Sequence, residues 1–341
     1  MRVAMYYNNN NVRIEERLIP KINDDEILVK VIASGICGTD VMEWYRIKKA
    51  PLVLGHEISG VIEKTGKNVN NFKIGDRVFV SHHVPCMKCH CCLNGHHTAC
   101  ETLHKTNFDP GGFSEFIRIP KINVEFGTFL LSDNVSFDEG TFVEPLGTII
   151  RAQRLVNLKK NQTLLVIGSG ISGLIHIKLA KARNIKKIIA VDINEYRLNA
   201  AKRFGADYLI NANENLNEKI RKINENRLAD IVIVCTGALS AAKQALQCVD
   251  KGGTILFFAV PRPDERLEIP INDFWKNEVK IMTSYAAAPE DLKESLALIQ
   301  SKKIDFNDMI THKLKFNEIQ KGFQLVAEAK DSVKVIIEPN K

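Results

Sequence analysis

No stretch of eighteen consecutive apolar residues occurs in the chain, which argues against a membrane-spanning helix. The opening residues, Met1-Arg2-Val3-Ala4-Met5-Tyr6-Tyr7, lack the apolar core and small-residue cleavage site of a secretory signal, so a cytoplasmic protein is expected. Basic residues do not gather into a stripe: the net charge of +7 is spread out, and the longest clusters are pairs such as Lys159-Lys160 and Lys186-Lys187. Without a stripe or a nucleic-acid reading motif, neither a nucleic-acid nor a membrane partner is expected. The mild positive charge favours anionic small ligands such as phosphorylated sugars. Internal repeats are absent, and low complexity is confined to Asn8–Asn11.

What is present suits two domains. The chain has 341 residues, 45% hydrophobic and 26% charged, which is globular in composition and long for a single core. In the first part, short β patterns separated by Gly and Asn turns run over 26–33, 58–66, 76–80 and 113–120, and this spacing suggests a barrel-like β domain. The character changes near Glu144-Pro145. Near-continuous apolar strands over 163–167, 187–192, 231–235, 253–258 and 280–283 then alternate with helical segments over 171–184, 195–204 and 240–248, the mark of a doubly wound parallel sheet. The tail carries a helix over 289–300 and a closing strand over 333–337. The α/β fold expected is a Rossmann domain over 146–284 and a β-rich domain from 1–145 and 285–341.

Eight cysteines occur, five of them between positions 86 and 100. In a long chain without a secretory signal, such a cluster points to metal before disulfides. Cys86, Cys89, Cys92 and Cys100 have the spacing of a closed tetrahedral zinc shell, which is structural because no coordination position stays open. The lobe, about 84–102, shows no helical pattern; a Cys₄ iron–sulfur site is the competing reading. Cys91 has no assigned role.

Gly168-Ser169-Gly170-Ile171-Ser172-Gly173 follows one apolar strand and opens a helix. Gly168 makes the tight turn, Gly170 lets a pyrophosphate approach the backbone, Gly173 packs helix on strand, and the helix terminus offers N–H groups to phosphate. Asp192 ends the next strand, where a carboxylate accepts hydrogen bonds from an adenosine ribose and repels a 2′-phosphate, which favours NAD over NADP. Arg197 softens that preference, and the competing reading of Asp192 is a helix N-cap. Thr236, Gly237, Ala259 and Val260 follow later strands and are candidates for the nicotinamide side.

Taken with these motifs, Cys37-Gly38-Thr39-Asp40, Gly55-His56-Glu57, Gly111-Gly112-Phe113-Ser114-Glu115-Phe116 and Glu144-Pro145-Leu146 give the chain a near end-to-end resemblance to the zinc-containing medium-chain alcohol dehydrogenase superfamily. The resemblance implies a GroES-like catalytic domain beside the Rossmann domain, an active site in the cleft between them, and a homodimer or homotetramer. It implies two zinc ions per chain, a catalytic one on Cys37 and His56 with Glu57 or Glu144 in the third position. Glu144, where the ethanol-oxidising branch has cysteine, resembles the sorbitol, threonine and sugar-alcohol dehydrogenase branch.

The expected function is NAD-linked oxidation of a secondary alcohol of a polyol, sugar alcohol (with or without a phosphate) or cyclitol to a ketone. An open zinc position stabilises the alkoxide. Thr39 is placed to take the alcohol proton, and Asp40 to hold the second nitrogen of His56. Many relatives carry a relay histidine three residues after the Thr39 position. Here Met42 stands there, with Glu43 beside it as a substitute. Trp44, Tyr45, Phe108, Asp109 and Arg118 are candidates for lining the substrate pocket. The alternatives are a threonine 3-dehydrogenase-like enzyme and a non-catalytic dinucleotide-binding protein with structural zinc alone.

Overall fold

A computed structural model describes residues 1–341. The chain forms two compact units, Met1–Gly147 with Ala286–Lys341, and Thr148–Tyr285. It first lays down β1 (Arg2–Asn8), β2 (Asn11–Glu16), β3 (Ile27–Gly35), β4 (Leu52–Val53), β5 (Glu57–Thr65), β6 (Arg77–Val80), β7 (Phe116–Ile119) and β8 (Thr128–Leu130). The second unit contains β9 (Thr163–Ile167), β10 (Lys187–Asp192), β11 (Tyr208–Asn211), β12 (Ala229–Val234), β13 (Val249–Phe257) and β14 (Lys280–Thr283). The tail adds β15 (Ile310–Lys315) and β16 (Lys334–Glu338) to the first unit.

In the first unit one sheet runs β2-β1-β4 and a larger one runs β15-β16-β3-β5-β6-β8, with β7 also paired to β3. Alternation along β3 sends Ile27, Val29 and Val31 into a core with Ile58, Ile62, Val78, Val80, Ile117 and Ile119. A second cluster gathers Tyr6, Phe113, Phe316, Phe323, Val335 and Ile337. The polar tract Asn8–Asn11 closes the β1–β2 hairpin, with Asn8 opposite Asn11. The register of β3 against β5 sets Gly35 opposite Glu57, and β16 lies along the other edge of β3 with Ile336 opposite Gly35.

The second unit is a six-stranded parallel sheet in the order β11-β10-β9-β12-β13-β14. Successive strands step outward on one side from β9 to β11, then restart at β12 on the other. The carboxyl ends of β9 and β12 therefore flank a topological switch point, where ligands bind in open α/β sheets. β9 is buried throughout, which explains its unbroken apolar run.

One local expectation is corrected, that of a helix-free cysteine lobe. The helix Val143–Leu155 spans Glu144-Pro145; proline is tolerated there because it lies in the first turn, where its missing N–H has no partner to lose. The cysteine lobe holds short helices, His90–Leu93 and Glu101–Lys105, each only about a turn and too short for apolar periodicity to register. No helix is long and apolar enough to cross a membrane.

Candidate active site

Cys37 follows β3, His56 precedes β5 and Glu57 begins it, so the antiparallel β3–β5 pair carries two distant segments to one place. One ligand atom each from Cys37, His56 and Glu57 lie within 4.8 Å of one another, as a metal-binding set requires. Asp40 is fully buried, and its Oδ1 lies 3.4 Å from His56 Nδ1. Burial alone would lower the His56 pKa, but the carboxylate of Asp40 and the thiol of Cys37 outweigh it and hold the imidazole well above its ordinary value. The Cys37 N–H donates to Asp40 Oδ2 at 3.0 Å, so the same aspartate also fixes the Cys37 backbone.

The Thr39 hydroxyl lies 3.3 Å from Cys37 Sγ. Met42 contributes its backbone carbonyl to the turn that follows, and Glu43 accepts the Asn9 N–H at 3.1 Å. Arg46 contacts Thr39 instead, through both its carbonyl and its hydroxyl.

Glu144 stands outside the 4.8 Å set. Its carboxyl is raised to about 7, first by burial and then by the charge of Glu57, against the opposing pull of His56 and Lys334. Glu57 is 2% exposed and ion-paired with Lys334, itself 1% exposed. Lys334 is a residue the sequence reading missed, although a lysine inside the apolar run 333–337 was the available signal. The histidine pair after β6 was missed as well. The His82 ring lies 4.8 Å from His56 and 3.8 Å from His83. Burial pushes His82 well down and His83 to about 3, so both are neutral at ordinary pH. Phe108 meets His82 edge-on at 6.3 Å. Asp109 and Arg118, by contrast, pair with each other at 3.4 Å, and Arg118 also reaches Glu26 at 3.6 Å. Trp44 packs edge-on against Tyr45 at 5.9 Å.

The sulfur atoms of Cys86, Cys89, Cys92 and Cys100 converge within 4.8 Å, and none forms a disulfide. Backbone N–H groups of Cys86 and Cys89 donate to the sulfurs of Cys100 and Cys86 at 3.4 and 3.3 Å. Burial would raise the Cys100 pKa, but backbone donors from Cys86 and Leu103 bring it down to about 6, which favours the thiolate that a metal needs. Cys92 rises to about 12, first by burial and then by its hydrogen bonds with Cys89 and Cys100, against the opposing backbone hydrogen bond from Met87. The donor set of four sulfurs fits a closed zinc shell, and the lobe's apolar contribution is small: Cys92, Cys100 and Leu103 with few partners. Cys91 is outside the convergent set.

In the second unit Gly168 has φ +95, and a Cβ on Gly173 would overlap the Gly168 carbonyl, so both glycines are required by the turn. Ile171 and Ser172 start the helix Ile171–Ala182, leaving its first N–H groups free to bind an anion. Asp192 accepts the Ser169 N–H at 2.7 Å and the Asn194 N–H at 2.9 Å, while the N-cap of the next helix is Asn194 and not Asp192. A methyl group on Gly170 would lie 3.9 Å from the Arg197 guanidinium, and the buried Arg197 Nε has no partner. Thr236 packs against Gly168, Gly237 faces the Val260 carbonyl, and the Ala259 N–H donates to Val234. The cradle of Gly168, Gly170 and Gly173 with an unpaired arginine nitrogen beside it fits a dinucleotide pyrophosphate.

Residues 23–125 match the family described as alcohol dehydrogenase GroES-like domain, and residues 172–301 the family described as zinc-binding dehydrogenase. Sorbitol dehydrogenase of Bacillus subtilis is 31% identical, covering 100% of this chain and 98% of that protein. The chain belongs to the zinc-containing medium-chain alcohol dehydrogenase family. Within that family it lies near the sugar-alcohol branch: a probable D-xylulose reductase A of Neosartorya fischeri is 33% identical over 96% of this chain and 94% of its own length. The solved structure of galactitol-1-phosphate dehydrogenase from Escherichia coli superposes with a TM-score of 0.88 at 25% identity, covering 99% of this chain and 100% of that one. This medium-chain dehydrogenase is therefore an oxidoreductase acting on a CH–OH group, with zinc and a nicotinamide dinucleotide as its cofactors.

Proposed function

We propose that this dehydrogenase oxidises a secondary alcohol of a polyol or sugar alcohol to the ketone, with NAD as hydride acceptor. The observation that carries this reading is the convergence of Cys37, His56 and Glu57, with the Thr39 hydroxyl 3.3 Å from Cys37 Sγ. Cys37, His56 and a carboxylate hold the catalytic zinc; the position of Glu57 within the convergent set favours it over Glu144 as third ligand. When bound, zinc supplies the positive charge that makes the alcohol acidic, and the nicotinamide supplies the hydride-accepting carbon. Asp40 keeps the His56 ring in one orientation through Nδ1. Thr39 Oγ1 accepts the alcohol proton while passing its own hydrogen outward to solvent, so the hydroxyl ends neutral. Neutral His82 and His83 line the substrate side, offering hydrogen bonds to further hydroxyls, and the ring of Phe108 packs against His82.

Cys86, Cys89, Cys92 and Cys100 hold a second, structural zinc, giving two per chain. NAD is favoured over NADP because a carboxylate at Asp192, which ends the strand after the glycine turn, would repel a 2′-phosphate. Gly168, Gly170, Ile171, Ser172 and Gly173 hold the pyrophosphate with Arg197; Thr236, Ala259 and Val260 border the nicotinamide. The chain works in the cytoplasm, in keeping with eight unpaired cysteines. It acts as a homo-oligomer, a reading supported by the edge strand β14 and by Trp275, which is 82% exposed.

NAD reduction measured across sugar alcohols, polyol phosphates, inositols and threonine tests the reading. A preference for polyols is expected; threonine as the best substrate would move the enzyme to the amino-alcohol branch. Cys37→Ser is expected to abolish turnover while the far-UV spectrum stays native. Full activity in that variant would refute the mechanism.

A further inference from the structure

The family's relay histidine is missing at Met42, and the polar contact that Thr39 makes in its place is with Arg46. Arg46 ends the short helix Glu43–Arg46, and its backbone N–H bonds the Met42 carbonyl at 3.1 Å. Its side chain is 16% exposed and lies over the Tyr45 ring with Cζ 4.8 Å from the centroid. From there Nε donates to the Thr39 carbonyl at 2.9 Å, and Nη2 donates to Thr39 Oγ1 at 3.3 Å. The same Nη2 lies 3.8 Å from Asp40 Oδ1, the oxygen that faces His56. One guanidinium thus spans the proposed proton acceptor and the carboxylate behind a proposed metal ligand.

We propose that Arg46 is a positioning residue for this dehydrogenase: it holds the Thr39 hydroxyl in a single orientation facing Cys37. The inference rests on the role given above to Thr39. A guanidinium carries five donors and no acceptor, so at this contact Thr39 Oγ1 can only accept. The hydroxyl's own hydrogen is then directed away from Arg46, and the nearest acceptor is Cys37 Sγ. A threonine hydroxyl otherwise rotates to suit its surroundings, and the planar fork removes that freedom because it also grips the Thr39 carbonyl. Arg46 cannot itself receive the alcohol proton, which makes it a different device from a relay histidine.

The test combines kinetics with a structural readout. Arg46→Met is expected to lower kcat about 10- to 100-fold, the scale of a reactive group displaced by about an ångström, with the KM for NAD and the zinc content unchanged. Arg46→Lys, which keeps the charge and loses the fork, should recover only part of the rate. Should Arg46→Met fail to fold, Arg46→Gln takes its place. In a Thr39→Val background the loss at position 46 should vanish, because a residue acting through Thr39 has nothing left to position. In the metal-free protein, three-bond couplings to the Thr39 methyl should report one rotamer, and averaged rotamers in Arg46→Met. Unchanged kcat in Arg46→Met, or losses that add across the two positions, would overturn the proposal. If Thr39→Val alone keeps full turnover, the proton-acceptor role fails, and the couplings alone then judge whether Arg46 orders the hydroxyl.

Discussion

His176 lies on the helix Ile171–Ala182 that follows the phosphate-binding turn, and it is completely buried. Gln153 Nε2 lies 3.4 Å from its Nδ1, the Phe258 ring meets it edge-on at 4.9 Å, and Nε2 has no hydrogen-bond partner. Burial, reinforced by the positive charge of Arg183, pushes its pKa down to about 3. In the unfolded chain the value is about 6.5. Below that value the unfolded state binds a proton that the folded state refuses, so stability is fully present above pH 6.5 and is lost as pH falls toward 3. At about pH 5 the difference is roughly 1.5 logarithmic units, or about 2 kcal/mol; at about pH 7.5 it is negligible. Replacing His176 with Leu removes this titration and leaves the other groups in place. Urea denaturation at both pH values should therefore show wild type losing about 2 kcal/mol more than His176→Leu between pH 7.5 and 5. Equal losses in the two proteins, to within about 0.5 kcal/mol, would refute a buried neutral imidazole.

Three further outcomes follow from the geometry. Cys100→Ser should release about one of two zinc ions by elemental analysis and lower the thermal midpoint, because a four-sulfur shell with one weak ligand no longer pins the lobe; an unchanged metal count would contradict the assignment. Gly173→Ala should cost about 1–3 kcal/mol in stability and weaken NAD binding by calorimetry at least about tenfold, since the added methyl overlaps the Gly168 carbonyl; affinity within twofold of wild type would remove the turn from the cofactor site. In the metal-free protein, Lys334→Met should destabilise by about 3–5 kcal/mol, the cost of leaving a buried carboxylate without its partner, and the double variant with Glu57→Gln should regain much of that loss. A drop below about 1 kcal/mol for the single variant would mean that Glu57 finds another counter-charge.

The parts of this dehydrogenase legible in its sequence are those in which the chemistry is local. Four cysteines within fifteen positions converge, and three glycines shape the turn at the head of a helix, because in each case one short segment supplies the arrangement. The parallel strands could be read because burial on both faces leaves an unbroken apolar run. Arg46 could not be anticipated: its neighbour Thr39 is close in the chain, but only the path of the turn after Asp40 brings the guanidinium back to it.

Lys334 and Glu57 mark where such reading ends. The two are 277 residues apart, and each is unremarkable in its own segment. They meet because β3 lies between β5 and β16, and they can meet across β3 only where that strand has no side chain. A Cβ on Gly35 would collide with the Glu57 carboxylate and the Lys334 ammonium together. The glycine is needed for the space it leaves, since Gly35 does not have a positive φ, so no turn or loop rule applied to residues 33–37 would have found it. That space admits the Lys334 ammonium to the side of the sheet where Glu57 converges with Cys37 and His56, so on the proposed reading lysine and metal compete for one carboxylate. The pairing of Glu57 with Lys334 is thus decided by sheet register, a property of three strands at once and of no single motif.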